Sequence, residues 1–219
     1  MAGCDNVDRC PSAIRVFRSL KRCLWRVCMR RLITQNGCSE TKLDGFRAFA
    51  YVGSGTARLI SRAQNVYKSF PVLTAAVAGA LAVRNAVLDG EIVHLDAAGV
   101  PQFRAMMKRQ KPQHFYAFDL IWLDRRDLRS LPLIERKRLL RDIVPPQPSP
   151  LLFVDHVMER GTELYEAACA RDLEGIVAKL ANGSYTPEAT TWVKIKNPEY
   201  SQAEGRAEFF EGRSFRMAV

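Results

Sequence analysis

The chain has 219 residues, of which 47% are hydrophobic, and it carries a formal net charge of +10. This length suits one sizeable domain with or without an appendage, and no apolar run reaches the length of a membrane span, so we expect no membrane partner. The positive charge favours anionic partners such as nucleotides or nucleic acid.

Residues 1–36 differ in composition from the rest. They hold eight lysines and arginines against two aspartates, and five of the six cysteines lie in the first 38 residues. Because the cysteines fit no common zinc spacing and no histidine accompanies them, we expect reduced, unliganded thiols in a cytosolic (cytoplasmic) protein. Residues 12–33 have the spacing of a basic amphipathic helix. A DNA- or membrane-surface helix, a transit peptide and a poorly specified extension are the open interpretations, and we favour the last because nothing in the segment looks catalytic.

The elements that follow are orderly. Residues 49–52 and 57–60 predict a hairpin around Gly53-Ser54-Gly55. A helix over 70–83 begins at Pro71. The remaining pattern predicts strands over 86–95, 114–123, 151–156, 175–180 and 191–195, and helices over 132–144 and 162–172. Strands outnumber helices and their links are hairpin-like, which favours an α+β domain with mixed or antiparallel sheets.

The run of residues 40–47, ETKLDGFR, places one lysine beside two carboxylates and an arginine, on a strand that enters a turn. Burial or a second cation lowers the pKa of a lysine and frees its amine, which can then carry a covalently bound group. Side chains alternate along a strand, so Glu40, Lys42 and Asp44 are expected to share one face. Arg47 offers a planar fork for phosphate or ribose. The alternative is a charged hairpin tip held by salt bridges.

Carboxylates also enter two apolar strands. Asp89-Gly90-Glu91 predicts either a ligand for Mg²⁺ or a salt bridge to a core arginine. Glu174 begins another apolar strand that Lys179 ends. In a regular strand these two charges would face opposite sides, which makes Glu174 the stronger candidate.

Other positions carry weaker signals. Lys194 and Lys196 share a strand face, which favours a triphosphate between them or an edge strand with its charges turned outward. Phe118 can stack on a base or belong to the core. Arg62 is an isolated base just past a strand.

Taken in order, these motifs resemble the covalent nucleotidyltransferases: Lys-x-Asp-Gly-x-Arg, Asp-Gly-Glu, Phe-Asp-Leu, Glu-Gly-Ile-Val-x-Lys and Trp-Val-Lys-Ile-Lys. The residues in these motifs are similar to those of bacterial ATP-dependent DNA ligases such as the ligase domain of ligase D. RNA ligases and capping enzymes are relatives of this family. The resemblance covers about residues 40–211. It implies an α+β, ATP-grasp-like adenylation domain of mostly antiparallel sheets flanked by helices, over residues 37–211, between an N-terminal extension (1–36) and a C-terminal tail (212–219).

The resemblance implies that ATP adenylates Lys42, and that AMP passes to a 5′-phosphate at a nick, which is then sealed in DNA repair or recombination. It implies that Glu40 contacts the adenine side through its strand, that Phe118 stacks on adenine, and that Glu91 and Glu174 serve Mg²⁺ or Mn²⁺ and the ribose. The implied ribose- and phosphate-binding positions are Arg47, Arg62, Lys179, Lys194 and Lys196. Nicked duplex DNA and DNA-end-binding repair proteins are the implied partners of a monomer.

Three features depart from the family pattern. Ala63-Gln64 replaces the expected Asn-Gly, and the segment before Glu40 lacks the usual aromatic residue. The chain stops at Val219, where family ligases continue into an oligonucleotide-binding (OB) barrel, so we expect a domain without that barrel. The alternatives are a fragment that binds nucleotide or DNA ends without sealing, and an RNA ligase or guanylyltransferase.

Overall fold

The structure is a computed structural model that describes residues 36–187 and 192–203. The helix predicted over 12–33 and the tail over 212–219 lie outside the described residues. Within the described part of the chain, no helix is long and apolar enough to cross a membrane.

Two β-sheets and four helices make up the described fold. The strands, in chain order, are β1 (Gly37–Thr41), β2 (Phe46–Gly53), β3 (Thr56–Ser61), β4 (Asn85–His94), β5 (Gln113–Leu123), β6 (Arg126–Asp127), β7 (Leu151–Phe153), β8 (His156–Met158), β9 (Gly175–Leu180) and β10 (Val193–Lys196). The helices are α1 (Pro71–Ala80), α2 (Phe103–Met107), α3 (Leu133–Ile143) and α4 (Gly161–Ala170), and a 3₁₀ turn spans Ser201–Ala203.

The larger sheet has the order β3-β2-β4-β5-β6, with every neighbouring pair antiparallel, and β7 joins β5 in parallel. The smaller sheet has the antiparallel order β10-β9-β1-β8. This arrangement confirms the predicted α+β class with mostly antiparallel sheets. Because β1 and β2 are consecutive yet belong to different sheets, the short segment between them crosses from one sheet to the other.

The core covers one face of the larger sheet. Ala48, Ala50 and Val52 alternate along β2 and are buried, as expected for a strand with one apolar face. Helix α1 packs Leu73 and Val77 into the same cluster. Pro71 occupies the first turn of α1, where its missing N–H leaves no broken hydrogen bond.

Several strands were predicted at or near their observed boundaries. The hairpin is confirmed as β2 and β3, and the strand over 175–180 coincides with β9. The predicted single strand over 151–156 was wrong. It is two strands in different sheets, because Val154 donates its N–H to Ala117 O at 2.9 Å and the chain then turns away to pair β8 with β1. The two short elements α2 and β6 were not predicted.

Helix α3 buries charge as well as apolar side chains. Leu133 and Leu140 are buried as predicted, and Leu139 and Ile143 are partly buried against the core. Two cations of the same helix, Arg136 and Lys137, are fully buried as well. A buried cation requires an ionic partner, and each of these has a carboxylate described below.

The position where the family pattern expects glycine adopts a left-handed conformation. Gln64 has φ 63° in a turn that Ser61 closes by donating its N–H to Asn65 O at 2.8 Å. A residue with a Cβ pays about 1 kcal/mol in this region. We therefore expect Gln64→Gly to raise the free energy of unfolding by up to about 1 kcal/mol, measured by urea denaturation. Gln64→Ala keeps the Cβ and is the control, and a glycine variant no more stable than the alanine variant contradicts the expectation.

Candidate active site

A cavity of about 170 Å³ lies where the two sheets meet, and both sheets supply its wall. The smaller sheet supplies residues at the end of β1 and on β9 and β10, and the larger sheet supplies residues on β2, β4 and β5. Of the predicted site residues, those that line the cavity are Glu40, Lys42, Arg47, Arg62, Glu91, Phe118, Lys179 and Lys194. Glu174 lies next to the cavity through its contact with Lys42. Lys196 is exposed and is not part of the wall.

Lys42 lies in the segment that crosses between the sheets. Strand β1 ends at Thr41, and Lys42 donates its backbone N–H to Gly175 O at 2.9 Å. Its Nζ donates to Glu174 Oε2. Gly175 also lets β10 pack closely, because it has φ 129° and a Cβ there would lie 2.1 Å from Ile195 O.

The predicted common face for Glu40, Lys42 and Asp44 was wrong, because strand alternation stops at Thr41. Lys42 pairs with Glu174, whereas Asp44 accepts a hydrogen bond from Tyr200 Oη at 2.9 Å. Strand alternation was also a poor guide to Glu174, because this residue lies before the start of β9 and the next residue, Gly175, has φ 129°.

Glu40 is a buried structural carboxylate. Its Oε2 accepts a hydrogen bond from Lys179 Nζ at 2.7 Å, and its Oε1 lies 2.7 Å from Lys137 Nζ of α3. Burial alone would raise the pKa of Glu40, but the two lysines hold that pKa below its ordinary value. Since each carboxylate oxygen already contacts a lysine, only the backbone of β1 can contact a ligand at this position.

In the Asp-Gly-Glu motif, the predicted salt bridge to an arginine is formed by Asp89, and the predicted Mg²⁺ ligand stays a prediction for Glu91. Asp89 forms the salt bridge: Arg47 Nε and Nη2 donate to its two oxygens at 2.7 and 2.6 Å, and Tyr185 Oη donates at 2.8 Å. Burial alone would lower the pKa of Arg47, but the neighbouring Asp89 carboxylate raises that pKa above its ordinary value. Glu91 faces the cavity instead, and burial raises its pKa to about 8 against the opposing charges of Arg47 and Lys42.

Two aromatic rings meet edge to face in the cavity wall. The ring centroids of Phe118 and Trp192 are 5.8 Å apart. The guanidinium of Arg47 lies 4.8 Å from the Phe118 centroid and 5.2 Å from that of Trp192. Lys179 Nζ lies 4.6 and 4.1 Å from the same two centroids. Such cation–π contacts keep flat apolar surface and positive charge side by side.

Sequence reasoning did not assign a role to three residues of this region. Trp192 and Val177 line the cavity, and Tyr185 holds Asp89 in place. The available signal for Trp192 was its position directly before the alternating lysines of β10. Tyr185 gave no local signal, because its partner lies 96 positions earlier in the chain.

The cavity carries an excess of positive charge. Lys42, Arg47, Arg62 and Lys194 line it. Glu91 faces them and forms no ion pair with any of the described residues. Burial, followed by the charges of Lys42 and Arg47, lowers the pKa of Lys194. A multiply charged anion with a flat apolar part therefore suits the cavity both electrostatically and in shape.

The two sheets with this cavity between them define an α+β nucleotidyltransferase domain of the adenylating type. Residues 24–196 match the family described as ATP dependent DNA ligase domain. The chain belongs to that family.

Relatives and solved structures agree with this assignment. The chain is 33% identical over 162 residues to the multifunctional non-homologous end joining protein LigD of Mycolicibacterium smegmatis, a match that covers 72% of this chain and 21% of the relative. It is 31% identical over 173 residues to a DNA ligase of Methanothrix thermoacetophila, covering 72% of this chain and 31% of the relative. The chain thus spans about a fifth to a third of the length of these relatives.

A solved structure of mycobacterial DNA ligase D complexed with ATP and MES superposes with a TM-score of 0.65 at 32% identity. The match covers 73% of this chain and 54% of that one. The ATP-dependent DNA ligase of bacteriophage T7, in complex with ATP, has a TM-score of 0.53 at 16% identity and shares the fold.

Proposed function

We propose that this chain is the catalytic domain of an ATP-dependent DNA ligase that forms a lysyl-AMP on Lys42 and seals nicks in DNA repair or recombination. The observation that carries the proposal is the position of Lys42 at the wall of a cation-lined cavity, beside two aromatic rings. Membership of the ATP-dependent ligase family supports the choice of ATP and DNA over other nucleotides and RNA.

In the first step the Lys42 amine attacks the α-phosphate of ATP. A nitrogen–phosphorus bond forms and the nitrogen loses one proton, while the bond to the bridging oxygen breaks and pyrophosphate leaves. Glu174 already orients the amine through its hydrogen bond. Arg62 and Lys194 line the same cavity and supply fixed positive charge for the triphosphate. We assign Lys196, two positions further along the same strand, to the same triphosphate, with Lys194 and Lys196 nearest the α-phosphate.

The adenine and ribose take the remaining wall. We place adenine against Phe118, with Glu40 contributing its strand, and the ribose near Arg47 and Glu91. In this arrangement adenine contacts the Phe118 ring, which Arg47 and Lys179 also contact.

The carboxylates present fit a divalent cation that is shared with phosphate. Among the described residues no group of three or more acidic, histidine or cysteine side chains could hold a metal by itself. Mg²⁺ is commonly bound through one or two carboxylates plus substrate phosphates, and Glu91 and Glu174 are the two carboxylates beside the cavity. Mg²⁺ or Mn²⁺ bound here would neutralise phosphate charge during the attack.

In the second and third steps the AMP on Lys42 passes to the 5′-phosphate at a nick, and the 3′-hydroxyl then displaces AMP. The names of the relatives include both DNA ligase and non-homologous end joining protein. We therefore propose nicked duplex DNA as the substrate and DNA-end-binding repair proteins as partners.

The test incubates the protein with Mg²⁺ and α-labelled ATP, then locates the labelled peptide. We expect one AMP adduct on Lys42, which added pyrophosphate reverses, and transfer of the label to a nicked duplex. Competition by GTP distinguishes a guanylyltransferase, and a nick in RNA distinguishes an RNA ligase. If no adduct forms and added nucleotide still binds, the chain is a nucleotide-binding fragment and the proposal fails.

A further inference from the structure

An open groove lies on the same face of the larger sheet as the nucleotide cavity. Arg47 lines the cavity, and Tyr51 lines the groove, whose volume is about 450 Å³. The two residues are four positions apart on β2, so their side chains point to the same face. At about 3.3 Å per residue, they are about 13 Å apart along the strand.

A row of four residues crosses the floor of this groove. The strand register places Arg58 beside Tyr51, Tyr51 beside Val87, and Val87 beside Trp122. We call these four residues the aromatic row. Because neighbouring strands are about 4.8 Å apart, the backbones of its two aromatic residues are about 10 Å apart across Val87.

Trp122 is held in position at the surface. Its indole Nε1–H donates to Asn85 Oδ1 at 2.6 Å, and the residue is nevertheless 37% exposed. A large aromatic ring costs free energy in water. A ring that is both exposed and fixed by a hydrogen bond offers a preorganised surface for stacking.

The charges around the aromatic row favour an anion. Arg58 is exposed and forms no ion pair with any described residue, and no carboxylate lines the groove. Asp127 lies beside Trp122 in the register, but it forms a salt bridge with Arg129 at 2.7 Å. A ligand with a flat apolar part and a negative group therefore matches the row.

We propose that the aromatic row binds an unpaired nucleotide of a DNA strand, with its base against Tyr51 or Trp122 and its phosphate near Arg58. Stacking on aromatic side chains accepts every base and requires that the base be unpaired. The inference rests on the proposed ligase function and adds a feature of its substrate. Because the row lies about 13 Å from Arg47 along β2, the nucleotide that it holds is separate from the ATP in the cavity.

The test measures binding of a fluorescent oligothymidylate, and of a blunt duplex of equal length, to the full chain by fluorescence anisotropy. Base stacking predicts that Trp122→Ala and Tyr51→Ala each weaken single-strand binding by about fivefold to a hundredfold and duplex binding far less. Trp122→Phe keeps an aromatic ring, and we expect its affinity for the single strand to remain within about threefold of the wild-type affinity. Val72→Ala removes another exposed apolar side chain, 64% exposed on α1, and is the matched control.

Unchanged single-strand affinity in both alanine variants overturns the proposal, and so does an equal loss for single strand and duplex. Arg58→Glu, an exposed substitution, provides a second measurement if an alanine variant fails to fold. It must weaken single-strand binding, and unchanged affinity counts against the row. Labelling of Lys42 by ATP is measured in the same preparations. Its absence in the wild type overturns the ligase proposal alone, whereas labelling with unaltered oligonucleotide binding overturns the aromatic row alone.

Discussion

Lys42→Arg abolishes formation of the AMP adduct, with a loss of at least about a thousandfold. Arginine keeps a positive charge beside Glu174 but cannot be deprotonated in proteins, so it supplies no nucleophile. The measurement is the rate of label transfer from α-labelled ATP under single-turnover conditions. We expect ATP to bind this variant still, because the other cations of the cavity are unchanged.

The matched control for this variant is Lys68→Arg. Lys68 is an exposed lysine that does not line the cavity. We expect the Lys68→Arg variant to form the AMP adduct at the wild-type rate. Adduct formation by Lys42→Arg at more than a few per cent of the wild-type rate would show that another nucleophile accepts AMP.

Glu40→Gln has the largest expected effect on stability. Glu40 is the carboxylate that faces both Lys137 and Lys179, and all three side chains are buried. Removing one member of a buried ionic cluster leaves uncompensated charge and costs about 3–5 kcal/mol. We expect a loss of this size in the free energy of unfolding at neutral pH, measured by urea denaturation.

The effect of Glu40→Gln depends on pH in a defined direction. The pKa of Glu40 is lowered in the folded protein from its ordinary value of 4.5. The stabilisation is therefore fully present above pH 4.5 and is lost as the pH falls through the lower, folded-state pKa. The difference between wild type and variant should shrink in acid, and a difference that grows there would contradict the buried ionic cluster.

Glu135→Gln is the control for the stability measurement. Glu135 forms an exposed pair with Arg138 at 3.3 Å on the same helix that carries Lys137. Exposed pairs contribute little to stability, so we expect this variant to unfold close to the wild type at every pH.

Much of the candidate site could be predicted because its motifs are local in sequence. The run of residues 40–47 and the two alternating lysines of β10 carry their chemistry within a few positions, and eight of the predicted residues line one cavity. Strand β9 was predicted at its observed bounds because Gly175 indicates its first residue and the apolar residues that follow indicate a buried strand.

The parts that could not be predicted depend on pairing between distant residues. Arg136 and Lys137 look like solvent-facing charges of an amphipathic helix, and no local pattern shows that carboxylates on β5 and β1 neutralise them. The choice between Asp89 and Glu91 as the partner of Arg47 could not be predicted from strand pairing either, because the register places Arg47 opposite Glu91, yet its guanidinium donates to Asp89 two positions away.

Helix α3 has a consequence for cooperativity. Its Arg136 binds Asp119 of the larger sheet through two hydrogen bonds of 2.7 and 2.9 Å, and its Lys137 pairs with Glu40 of the smaller sheet. If only one sheet were formed, docking of α3 would bury one of these cations without its partner. Partly folded states with a single intact sheet are therefore disfavoured, and the two sheets are expected to lose amide-exchange protection together, as one unfolding unit.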